Sequence, residues 1–155
     1  MHLTKPVVAV SGMLIRRPAH DCYEAFVDPA VTTKFWFTKS TGRLDEGKTV
    51  TWTWEMYGVS STAKPLEVVP DKRVVVEWAN DIEVSGIIEW TFKPLKDGAF
   101  VGVEVRDIPG DGDAQVKMAI DMSEGFGIVL CGAKAWLEHG MQLRGVDDRW
   151  PSDLT

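Results

Sequence analysis

Apolar positions change period along this chain, and the changes mark its elements. The longest segment of helical period is near the end. Met122, Phe126, Val129, Ala133 and Leu137 recur at steps of four, three, four and four, which places them on one face of a helix over about Asp113 to Leu143. Lys134, Glu138 and Gln142 fall off that face. Asp113 offers an N-cap oxygen, and the preceding Pro109-Gly110-Asp111-Gly112 suits neither strand nor helix. Gly125, Gly127 and Gly132 lie inside the helix, where each glycine costs roughly 1 kcal/mol against alanine. Tertiary packing must therefore hold this helix. Its glycines either bring the backbone close to a sheet or leave room for a ligand.

Upstream the period is two. Val50, Trp52, Trp54 and Met56 alternate with Thr51, Thr53, Glu55 and Tyr57, which predicts a half-buried strand. After a turn at Gly58, Val59 to Val69 reads as its partner, interrupted by Pro65. Val74, Val76 and Trp78 alternate in the next strand, between turns at Pro70-Asp71-Lys72 and Asn80-Asp81. Val84, Gly86, Ile88, Trp90 and Phe92 alternate in another, and Lys96-Asp97-Gly98 turns into a last strand through Val101, Val103 and Val105. Before all of these, Val7 to Ile15 is apolar on both sides, as in a buried strand or an edge strand under a helix. Pro18 opens a short helix with Cys22, Tyr23, Phe26 and Val27 on its apolar face, Asp28-Pro29 closes it, and a second short helix carries Val31, Phe35 and Trp36. Thr38 to Lys48 is loop with room for a short strand. Consecutive strands joined by tight turns, with no helices between them, make an antiparallel meander and exclude a parallel α/β sheet. The fold class is α+β: a curved antiparallel sheet under one long helix.

The length of 155 residues suits a single domain, with its core over about 7–143 and residues 144–155 as a loosely packed C-terminal extension. A net charge of -6 disfavours nucleic acid and anionic membrane as partners. No apolar run approaches a membrane span, and the N-terminus lacks a signal-peptide pattern, so the expected location is cytoplasmic. Cys22 and Cys131 fall in helices and are expected as reduced thiols serving as small apolar residues.

Candidate chemistry is sparse. His2, His20 and His139 stand at no metal-ligand spacing, and neither a phosphate-binding loop nor a Gly-x-Ser-x-Gly nucleophile motif is present. No catalytic residue, metal or cofactor is therefore assigned. Glu55, Glu77, Glu89 and Glu104 alternate with apolar neighbours and belong on the solvent face, as does Arg106, unless a bulge turns one inward. The tryptophans, seven in all, carry the functional signal. Trp52, Trp54, Met56, Trp78, Ile88, Trp90 and Phe92 fall on the apolar side of their strands, facing Met122, Phe126 and Val129, with Trp36 near a mouth. The set suits either a filled aromatic core or the wall of an apolar cavity with a few polar groups.

Two stretches resemble a known family. Pro18-Ala19-His20-Asp21-Cys22-Tyr23-Glu24-Ala25-Phe26-Val27-Asp28-Pro29 followed by Phe35-Trp36 is similar to the amino-terminal signature of the activator-of-Hsp90-ATPase-like (AHSA1-like) proteins. Glu124-Gly125-Phe126 followed by Leu130, Ala133 and Leu137 resembles their long-helix motif, and the likeness spans roughly Val8 to Met141. Ser40 to Lys48 is shorter than the Gly-Gly-containing segment that members often carry. The resemblance implies the helix-grip fold of the START and Bet v 1-like (SRPBCC) superfamily, with a cavity between sheet and helix. It implies as partner a small hydrophobic or amphipathic molecule. The alternatives it leaves are a stress-response interaction module with a chaperone partner, and a cyclase- or hydrolase-like enzyme; separately, an exposed edge strand could pair with a second chain as a homodimer.

Overall fold

The computed structural model describes residues 2–154. Strand β1 (Ala9–Ile15) is followed by helices α1 (Ala19–Val27) and α2 (Pro29–Thr32). Six strands come next: β2 (Lys39–Ser40), β3 (Val50–Trp54), β4 (Val59–Val69), β5 (Arg73–Ala79), β6 (Val84–Leu95) and β7 (Gly98–Arg106). Helix α3 (Gly112–His139) and a single turn α4 (Gly145–Asp148) end the chain. The strands form one antiparallel sheet in the order β1-β7-β6-β5-β4-β3-β2. The meander accounts for every neighbour except β1, which returns to the far edge beside β7. With α3 across the sheet this is the helix-grip fold.

Alternation sets the inner face. Val50, Trp52 and Trp54, then Val74 and Val76, then Ile88, Trp90 and Phe92, then Val101, Val103 and Val105 are buried. Pro65 cannot donate to the ladder, and the register shifts between it and Glu67. From above, α3 buries Ala119, Phe126, Val129, Leu130 and Ala133 on that face. Its N-cap is Asp111, not Asp113: the Asp111 carboxylate accepts from Ala114 N at 3.1 Å, two residues before the expected cap, and Gly112 is already helical. Gly140, at φ 63°, ends the helix earlier than expected.

β1 is the edge strand under the helix. Ser11 Oγ donates to Ser123 O at 2.8 Å, Lys134 Nζ donates to Leu14 O at 2.9 Å, and Arg16 N donates to the Glu138 carboxylate at 2.9 Å. These bonds stitch α3 to the edge strand, and one of them occupies a β1 backbone group, Leu14 O. Gly132 explains one helix glycine. A Cβ there would stand 2.9 Å from Phe35 Cβ, so the close approach is to the segment after α2 and not to the sheet. Cys22 is buried, and burial pushes its thiol up to about 11, so it behaves as a small apolar residue. Cys131 departs from expectation: it sits on the exposed side of α3. Among the described residues no helix is long and apolar enough to cross a membrane.

Candidate functional site

The space between α3 and the open end of the sheet forms a cavity in two adjoining lobes. The first, about 320 Å³, is lined by Trp54, Tyr57 and Val59 from the β3–β4 hairpin, Ile128 from α3, and Arg149 and Trp150 from the C-terminal segment. The second, about 240 Å³, runs under α3 past Met118, Asp121, Met122, Phe126 and Val129. Trp36, Trp78, Gly125 and Val146 border both lobes and form the waist between them. A Cβ on Gly125 would meet nothing within 4 Å, so this glycine leaves room over the waist.

The strand residues chosen by alternation divide into two groups. Trp54 and Trp78 reach the cavity, as do Trp36, Met122, Phe126 and Val129. Trp52, Ile88, Trp90 and Phe92 do not line it; they are buried in the floor beneath. Trp52 is stacked on Phe37 with ring centroids 5.2 Å apart, Trp90 packs against Phe26 and Trp36, and Phe92 meets Tyr23 edge-on. Trp36 and Phe37 after α2, together with α1, fill the space over these central strands. The cavity lies beyond them, toward Met118–Val129 of α3 and the β3–β4 hairpin. In the packed part, Trp90 Nε1 and Tyr23 Oη are buried with no hydrogen-bond partner among the described residues.

Met56 is a correction of a different kind. β3 stops at Trp54, and Glu55–Tyr57 winds into a 3₁₀ turn closed by Gly58 at φ 62°. Alternation ends with the strand, so Met56 is exposed and Tyr57 takes the inward position. The Tyr57 hydroxyl donates to Val146 O, lies 3.2 Å from Asp147 O, and accepts from Trp150 N at 3.3 Å. The C-terminal segment is therefore not a loose extension. It folds back onto Tyr57, seats Gly145 against Ile128, and pairs Arg149 Nε with the Glu124 carboxylate. The Arg149 guanidinium stacks over the Trp150 ring at 3.8 Å. Val146 and Trp150, four apart in a polar stretch, were the sequence signal for this.

The electrostatics of the site are simple. Asp121 and Arg149 are the charged groups on the two lobes, one on each. Trp78 Nε1 donates to Ser61 Oγ at 2.7 Å. The strand carboxylates face away. Glu89 accepts a forked pair from Arg73, both bonds at 3.1 Å, and a 2.7 Å bond from Arg106 on the outer face. Those guanidinium groups, Arg73 foremost, hold its carboxyl below the usual range. His20 sits outside as well, bonded to Asp71 at 2.8 Å, which raises its pKa. Among the described residues no group of three His, Cys, Asp or Glu is placed to hold a metal ion.

Comparison with known proteins agrees with this architecture. The sequence profile of the family described as "Activator of Hsp90 ATPase homolog 1-like protein" matches residues 16–138. No curated protein matches the chain. Among solved structures, protein SSP2350 from Staphylococcus saprophyticus is 28% identical with a TM-score of 0.77, over 89% of this chain and 96% of that one. The Aha1 dimer from Colwellia psychrerythraea is 18% identical with a TM-score of 0.74, over 86% and 98%. DynU16, a protein in the dynemicin biosynthetic locus, is 16% identical with a TM-score of 0.73, over 87% of this chain and 48% of that one.

Proposed function

The chain belongs to the activator of Hsp90 ATPase homolog 1-like family, and from that premise we propose that it binds a small hydrophobic or amphipathic molecule in the cavity between α3 and the sheet. The observation that carries this reading is the two-lobed space walled by Trp36, Trp54, Trp78, Met122, Phe126 and Val129. Ligand pockets are typically apolar with a few placed polar groups, and the larger lobe reaches the lower end of their usual volume, ~300 Å³. The strand carboxylates point outward, which favours binding over acid–base chemistry on the ligand. The buried, reduced Cys22 fits a cytoplasmic setting.

The test is a thermal-shift screen of fatty acids, aromatic polyketides and flavonoids. Hits are titrated by intrinsic fluorescence and analysed for product by mass spectrometry. A true ligand raises the melting temperature by mass action and perturbs several indoles together. Uniform absence of shifts would sink the reading. Specific recovery of Hsp90 from native lysate, lost on surface-charge substitution, would put a chaperone-partner role ahead of it.

A second reading is self-association, favoured by the dimer formed by the Colwellia relative and by exposed Val8 and Val10 at the β1 edge. Light scattering coupled to gel filtration decides it: a concentration-independent monomer mass would remove it.

A further inference from the structure

The two lobes differ in charge, and the difference bears on what they take. Arg149 is the cation of the larger lobe, and Asp121 is the anion of the smaller one. Two other polar groups on the larger lobe are already engaged: the Tyr57 hydroxyl with the C-terminal backbone, the Trp78 indole with Ser61. Arg149 is differently placed. Among the described residues only its Nε holds a hydrogen-bond partner, the Glu124 carboxylate, with the Asp121 charge acting on it through space, so both terminal amino groups keep donor capacity. The side chain is 36% exposed and that of Glu124 47%, so their pair lies at the solvent boundary. Exposed ion pairs contribute little, and exchanging one carboxylate for another there costs little. The guanidinium also sits over the Trp150 ring, 3.8 Å from its centroid, which holds it beside the aromatic wall.

Resting on the reading of this cavity as a binding site, we propose that its ligand is an aromatic acid, whose anionic group replaces Glu124 on Arg149 while its rings lie between Trp54 and Trp78. Asp121 sets the orientation. It repels an anion from the smaller lobe, so the uncharged end of the ligand passes the waist at Gly125 and the acidic end stays with the C-terminal segment. A guanidinium is suited to a planar carboxylate or to a sulfonate because it offers parallel N–H donors. The chain's own net charge of -6 works against anions in general, so selectivity for one must come from this local cation.

The test uses two fluorogenic probes with the same aromatic body. 8-Anilino-1-naphthalenesulfonate carries an anion, and N-phenyl-1-naphthylamine does not. Both are titrated against the wild type, Arg149→Gln, Arg149→Lys and Glu124→Gln, with Asp97→Asn on the β6–β7 turn as a control for net charge. Arg149→Gln is expected to weaken the sulfonate ~10-fold, a single charge-assisted contact, and to leave the amine unchanged. Arg149→Lys retains part of the affinity. Glu124→Gln tightens the sulfonate by removing its competitor, and Asp97→Asn does not.

The opposite signs are decisive, because Arg149→Gln and Glu124→Gln break the same ion pair. If Arg149 served only to pin the C-terminal segment, both substitutions would weaken both probes alike, and the inference would fall. It would also fall if the amine bound and the sulfonate ignored both substitutions, while the cavity reading stood. If neither probe bound the wild type, the cavity reading would fall with it.

Discussion

At the scale of single residues, Gly125, Gly127 and Gly132 inside α3 are three cases that one substitution can tell apart. Gly127 has open space where a Cβ would stand, so Gly127→Ala should recover up to about 1 kcal/mol of helix propensity and raise the urea midpoint. Gly132→Ala should lower it, because the methyl group would meet Phe35 Cβ at 2.9 Å, with the Phe35 backbone close behind. Gly125→Ala should raise stability like Gly127→Ala yet impair probe binding, since its methyl would enter the waist between the lobes. Equal behaviour of all three would contradict these placements. The sequence singled out these glycines and left open what each was for, since the answer depends on Phe35, which is distant in sequence. The tryptophans show the same limit. Alternation alone puts Trp52, Trp54, Trp78 and Trp90 on the inner face, and all four are there or at its border. Which of them meets empty space depends on Phe37 stacking on Trp52 and Phe26 packing on Trp90, and strand periodicity holds no information about that.

At the scale of elements, strands and long helix were legible because each has one buried face and a clear period. The departures occur where a local device overrides the period. The 3₁₀ turn after Trp54 exchanges Met56 for Tyr57, and the cap two residues early makes Asp111 the terminal acceptor of α3. On the outer face, Glu89 of β6 ties β5 to β7 through Arg73 and Arg106. This arrangement gives a pH dependence of definite sign. The Glu89 carboxyl is lowered from its ordinary value of 4.5, so the unfolded chain takes up a proton there before the folded one does. Its contribution to stability is complete above that value and is lost as pH falls through the lower, folded-state value. Glu89→Gln should therefore be less stable than wild type near neutral pH. The gap should close progressively in denaturant melts taken from about pH 6 down to about pH 3. A gap that stayed constant over that range would mean the ion pairs contribute nothing to folding.

At the scale of the whole molecule, the sheet, α1, α2 and α3 supply the core, which is buried from Ala9 to Ala133. The C-terminal segment adds to that core only Val146, partly buried. It nevertheless supplies one side of the larger lobe, with Val146, Arg149 and Trp150. The segment thus contributes more to the larger lobe than to the core, whose own Trp36, Trp54, Phe126 and Val129 wall the rest of the cavity. The linker before α4 is exposed from Met141 to Arg144 and lies between residues of positive φ, Gly140 at 63° and Arg144 at 60°. A segment held by a few polar bonds and one apolar contact should open more readily than the sheet. Tyr57→Phe, which removes the hydroxyl beneath it, should speed amide hydrogen exchange over residues 145–150 and leave the α3 core protected. Ending the chain at Gly140 carries the argument further. The shortened chain should keep its far-UV spectrum and a cooperative urea transition, because none of the fully buried core is removed. It should bind N-phenyl-1-naphthylamine much more weakly, because the larger lobe would lie open to water along its C-terminal side and the probe's rings would lose Val146 and Trp150. Undiminished binding would place the ligand wholly in the lobe under α3. Loss of the cooperative transition would make the segment part of the folding core, despite the exposed linker that joins it.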